Sequence, residues 1–210
     1  MNTKTVVGTL SVFSFMLSAC NLLLPMPNAT QTPYVEDVHT EVPASMPQSG
    51  FPDKPALPND SGIEGVQTFP DKSEYHKHVV SLPEPTADIP PAFGAHYNAW
   101  QNCGIYDRPI ELGNALHSLE HGAVWLTYSP DLNESQIADL QALARGHDYV
   151  LMSPYPTQTK PLVLTGWGVQ LVIDSLPDDR IAQFIAYYEN GPQNPEPGAP
   201  CFAAIGNPLP

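Results

Sequence analysis

Apolar and polar positions alternate along the chain with periods that change from segment to segment. From Glu111 to His121 the apolar residues Leu112, Ala115, Leu116 and Leu119 recur at helical spacing and form one stripe. The same periodicity puts His117 and His121 about 40° apart on another side of that helix, joined by Asn114. Gly122 fits the position where a left-handed residue ends a helix. The run Ala123–Tyr128 is continuously apolar apart from Thr127 and predicts a buried strand. Asn133 reads as a helix N-cap with Gln136 three residues on, and Ile137, Leu140, Leu143 and Ala144 supply the apolar stripe up to Gly146. Tyr149–Ser153 predicts another buried strand. Leu162–Ile173 predicts a strand interrupted near Gly166-Trp167-Gly168, where glycines point to a bulge or a close backbone approach. Pro177-Asp178-Asp179 opens a last helix, with Ile181, Phe184, Ile185 and Tyr188 as its apolar face and Asn190-Gly191-Pro192 as its stop.

Upstream, Gly65–Phe69 reads as a short strand. Tyr75–Val80, if extended, turns His76 and His78 the same way. Pro-rich and aromatic-rich loops follow up to Pro109, and Gly94 permits a tight turn that places His96. The succession predicts an α+β or α/β domain: a small mixed sheet with helices packed on it. Strand–helix–strand–strand–helix also occurs in thioredoxin-like topologies, but no Cys-x-x-Cys pair accompanies it, so redox chemistry of that kind does not follow.

The N-terminus changes the picture. Lys4 is followed by a mostly apolar stretch, Thr5–Leu17, too short to span a bilayer comfortably, and then by Leu17-Ser18-Ala19-Cys20. This has the form of a bacterial lipobox. It predicts a signal peptide over residues 1–19 and an acylated Cys20 that anchors the chain to membrane lipid on the exported side of the cell envelope. Residues 20–61 are proline-rich and poor in aromatics, which predicts a disordered tether. A single globular domain is expected over 62–203, with a short tail over 204–210. In an oxidising compartment the two remaining cysteines, Cys103 and Cys201, are expected to pair and to close a long loop.

Charge narrows the partners. The 210 residues carry 22 acidic against 8 basic side chains. With no basic patch, nucleic-acid binding is excluded.

Phe93-Gly94-Ala95-His96, Asn102–Asp107, His117–Trp125, Ser153-Pro154-Tyr155-Pro156, Gly166-Trp167-Gly168 and Glu196–Cys201 together resemble the domain of unknown function 3105 family. The resemblance covers about Ile63 to Cys201. It departs at Ala95 and Gly166, where proline and alanine are expected in many members. It implies exported or membrane-anchored proteins and no established activity.

The candidate chemistry is carried by histidines. His76, His78, His96, His117 and His121 lie within one third of the chain. Neutral imidazole is a transition-metal ligand, and two on one helical turn are a common start to a site. The expected ligands are His78, His96, His117 and His121, with Asp107, Glu111 and Glu120 as carboxylates that orient the rings. An all-nitrogen set in an exported protein points to copper or zinc, from an unidentified protein or metal donor. Cysteine thiolate is unavailable if bridged, and Met152 is the one methionine of the predicted domain.

Two readings stand beside this one. His117-x-x-Glu120-His121 matches the H-x-x-E-H pattern of inverted zinc metallohydrolases, with Glu120 as catalytic base and Glu189 as a candidate third ligand. Alternatively, Trp100, Tyr106, Trp125, Tyr155 and Trp167 line an apolar groove of a tethered peptide- or glycan-binding module.

Overall fold

The computed structural model describes residues 52–210. The signal segment, Cys20 and most of the tether lie outside the described residues. Six strands form one mixed sheet: β1 (Gln67–Thr68), β2 (Gly104–Ile105), β3 (Val124–Tyr128), β4 (Val150–Pro154), β5 (Leu162–Gly166) and β6 (Val169–Ile173). Three helices accompany it: α1 (Leu112–Glu120), α2 (Glu134–Ala144) and α3 (Arg180–Tyr188). The strand order is β1-β6-β5-β3-β4-β2. β3 runs parallel to β4 and antiparallel to β5, and β6 is antiparallel to β5. The β3-α2-β4 unit is followed directly by the β5-β6 hairpin and then by α3, and no Cys-x-x-Cys pair accompanies them. Among the described residues no helix is long and apolar enough to cross a membrane.

Both faces of the sheet are covered, which is why β3 reads as an unbroken apolar run. Val124, Leu126 and Tyr128 point to one face, where they meet Leu140 and Ala144 of α2 and Ile181, Phe184, Ile185 and Tyr188 of α3. Trp125 points to the other and joins Leu151, Tyr155 and Trp167 under Ala115, Leu116 and Leu119 of α1. The ends of α2 are those its sequence predicts: Asn133 and Gln136 form a reciprocal capping box. Residues 162–173 differ from the interrupted single strand expected of them. They form a hairpin in which Gly166 pairs with Val169, and Gly168 takes a positive φ of 69° in the two-residue turn.

Three segments converge on α1 and build the site. His121 caps its C-terminus through a hydrogen bond from its amide to the His117 carbonyl, and Gly122 follows with φ 101°. The Cys103–Cys201 disulfide, with Cα atoms 5.3 Å apart, ties the Glu196–Cys201 segment to the loop before α1. Ile205 and Leu209 then bond to the backbone at Asn102 and Ile105, so the chain end lies along this same loop. The third segment, residues 71–97, folds over the polar side of α1, and every residue from Gly113 to Glu120 is buried as a result.

Candidate metal centre

α1 contributes His117 and, one turn later, Glu120. His78 and His96 arrive on two short extended pieces that pair in parallel: the Val79 amide donates to the His96 carbonyl at 2.8 Å, and the His96 amide donates to the Lys77 carbonyl at 3.0 Å. This pairing holds both side chains above the helix. The three rings form a near-equilateral triangle, with centroids 4.9 Å apart for His78–His96, 4.9 Å for His96–His117 and 5.0 Å for His78–His117.

One donor atom from each of His78, His96, His117 and Glu120 lies within 4.8 Å of all the others, a group that can hold a metal ion. Donors around one ion at about 2.1 Å stand roughly 3.4 Å apart in a tetrahedron, so small side-chain rotations close this set. His96, His117 and Glu120 are buried, whereas His78 is exposed and stands at the mouth.

Backbone carbonyls set the ring orientations. His117 Nδ1 donates to the Tyr97 oxygen at 2.6 Å, and His96 Nδ1 donates to the Gly94 oxygen at 2.9 Å. Both rings then have Nδ1 committed to a carbonyl and Nε2 left to ligate, as in many metal-ligating histidines. His96 Nε2 is buried and makes no aligned hydrogen bond, although Glu120 Oε2 is 2.8 Å away. Imidazole nitrogens and one carboxylate oxygen together make a donor set that fits a transition ion.

The charges agree with the geometry. Burial pushes His117 down to about 4, helped by the neighbouring histidines, so it is neutral at physiological pH. Burial, then His96, also lowers His78. Burial alone would raise Glu120, but the contacts of His76 and His96 outweigh it and hold the carboxyl at about 2. Burial likewise opposes charge on His76, yet its hydrogen bond to Glu120 and its contacts with Asp71 win and raise it.

The structure brings together three of the four expected histidines. The fourth, His121, lies beside His117 with centroids 4.5 Å apart but outside the four-residue group. Its Nδ1 donates to the Pro200 carbonyl at 2.7 Å, and its Nε2 is 3.3 Å from Glu196. Glu120, expected to orient the rings, is itself within the donor set. Asp107 and Glu111, given the same expectation, are exposed at the approach to α1 and outside the group. Glu189, the third ligand of the hydrolase reading, is also outside it. It accepts hydrogen bonds from His147 Nδ1 at 2.6 Å and from the Tyr149 amide at 2.9 Å. The expected aromatic groove is not a groove, because Tyr106, Trp125, Tyr155 and Trp167 are core residues at 3% exposure or less. Sequence reasoning did not assign His76, Asp71 or Glu196. The spacing of His76 and His78 was the one signal for the first of these, and nothing local marks the two acids.

The chain matches no curated protein and no solved structure. A family model described as "Protein of unknown function (DUF3105)" matches residues 86–203, which include His96, His117, Glu120 and both bridged cysteines, and the chain belongs to that family.

Proposed function

We propose that this protein is an exported, lipid-anchored module that binds one transition-metal ion through His78, His96, His117 and Glu120. The observation that carries the reading is the convergence of three imidazoles and a carboxylate, with the Nδ1 protons of His96 and His117 tied to backbone carbonyls. Three nitrogens and one oxygen suit Zn(II) or Cu(II) better than hard cations, which prefer oxygen cages. An ion held there would supply a positive charge and a Lewis acid, with the exposed His78 side as its way in and out. The lipobox at Cys20 supports the envelope address, and catalysis is not assigned.

The test is metal content. The full chain without an affinity tag, folded in the exported compartment, is expected to carry about one zinc or copper ion. The His117→Ala/Glu120→Gln double variant, shown to be folded, is expected to carry none. A wild-type protein that neither retains metal nor takes up zinc or copper when offered them refutes the reading.

A further inference from the structure

The two oxygens of Glu120 have different neighbours. Oε2 faces His96 in the donor cluster, whereas Oε1 is taken by His76 Nδ1 on the far side. The His76 side chain is 0% exposed, and its Nε2 reaches both Asp71 oxygens at 3.0 Å. Asp71 is anchored in turn. Trp167 Nε1 donates to its side chain at 3.2 Å, and the Lys54 amide donates to its carbonyl at 2.7 Å. The His76 ring packs against the Trp167 ring at a tilt of 34°, with centroids 4.9 Å apart.

Both nitrogens of His76 thus face carboxylate oxygens. A buried ring held at both nitrogens by carboxylates is a rigid strut. It fixes the rotation of Glu120 and occupies one of its two oxygens.

We propose that Asp71 and His76 are positioning residues that confine Glu120 to ligation through a single oxygen and so select a small, nitrogen-preferring divalent ion over larger hard cations. This rests on the metal-binding reading above. Ions such as Mn(II) and Ca(II) gain from carboxylates that bind through both oxygens and from higher coordination numbers. The strut withholds the second oxygen. The donors that remain favour a four-coordinate ion of the Zn(II) or Cu(II) kind.

The experiment uses the metal-free full chain with Zn(II) and Mn(II) as separate probes. Affinities are measured for wild type, His76→Ala and Asp71→Asn, and X-ray absorption at the zinc edge gives the coordination number. Wild type is expected to bind one Zn(II) and to bind Mn(II) far more weakly. His76→Ala is expected to lose about 10–100-fold in Zn(II) affinity. Its preference for Zn(II) over Mn(II) is expected to shrink by about tenfold, with an added oxygen around zinc. Asp71→Asn leaves the ring in place and is expected to shift both quantities in the same direction by less. It decides the question alone if His76→Ala does not fold.

Equal losses for both ions with unchanged coordination would mark a purely structural role and overturn the proposal. Unchanged affinity and preference in the variants would overturn it as well. In either case wild type still binds zinc, so the metal-binding reading survives. Wild type that takes up no transition ion ends both.

Discussion

His117 is oriented by Tyr97: the ring nitrogen Nδ1 meets the Tyr97 carbonyl oxygen at 2.6 Å, and the Tyr97 amide donates in turn to the Gly113 carbonyl at 3.2 Å. The aromatic ring of Tyr97 lies so close to Gly113 that a Cβ there would stand 2.6 Å from it. A glycine one turn before the histidine therefore lets the segment that orients His117 sit directly on the helix.

Gly113→Ala tests that arrangement. Alanine is favoured over glycine in a helix by about 1 kcal/mol, so an unhindered site would gain stability. Here the added methyl displaces Tyr97, and a net loss of about 1–3 kcal/mol is expected. Denaturant unfolding measures it, and zinc titration is expected to weaken in parallel because the carbonyl that sets the His117 tautomer moves. A stabilised variant with unchanged zinc affinity rules the arrangement out.

Burial keeps His117 neutral down to about 4 in the folded protein, whereas the unfolded chain protonates it near 6.5. Between those values the unfolded state binds the extra proton, so metal-free stability falls as pH drops from about 6.5 to about 4, by up to roughly 3 kcal/mol from this group. The lowered His78 acts in the same sense. The raised His76 acts oppositely: its contribution is present below about 6.5 and is lost as pH rises through its folded value. Subtracting the urea-unfolding profile of His117→Gln from that of wild type isolates His117. The difference is expected to change with pH across this window and to level off outside it, and a flat difference contradicts the assignment.

Glu120→Gln removes the negative charge between His76 and His96. The expected result is a fall in metal-free stability of about 3 kcal/mol, because the buried His76 Nδ1 loses the carboxylate that it faces. Zinc affinity is expected to fall in the same variant if Glu120 is a ligand. Stability within about 0.5 kcal/mol of wild type, measured in denaturant, means that the His76–Glu120 contact does not stabilise the fold.

The Cys103–Cys201 bridge spans 98 residues. Chain-entropy arguments give such a loop about 4–5 kcal/mol of stabilisation. Paired Cys103→Ser/Cys201→Ser substitution is expected to lose most of that, and also to free the segment that carries Pro200 and Glu196. Loosened His121, read by its ring resonances in NMR, is the accompanying local sign. Resonances unchanged after the substitution mean that His121 is held without the bridge.

The sequence carried the helices and strands well because each has its own local signal: the Leu112–Leu119 stripe, the Asn133–Gln136 box, and the apolar runs of β3 and β4. Residues 162–173 were harder. Period-two alternation survives on both sides of a two-residue turn, so only the glycine at the turn distinguishes a hairpin from a bulged strand. The histidine cluster was legible as a crowd of ligand-type residues. Which of them meet was not, because His121 is turned away by Pro200, a partner 79 residues later that the disulfide delivers. The strut of Asp71 and His76 is purely tertiary, since its two ends are anchored by Trp167 and Glu120. Tyr106, Trp125, Tyr155 and Trp167 show a further limit: residue type does not say whether an aromatic ring faces solvent or core.

The pairing of Lys77–Val79 with His96 links two parts of the chain of unequal standing. Asp71, His76 and His78 all precede residue 86, where the family match begins, while His96, His117 and Glu120 lie inside it. An ion shared by these residues would therefore act as a clasp, fastening an upstream flap onto the domain. If the ion adds to the backbone pairing that already holds this segment, protease cutting between residues 71 and 85 should be slower in the loaded protein than in the stripped one. Seen this way, a shortened version starting at residue 86 would keep the β3–β6 strands and all three helices and still be unable to close its own lock.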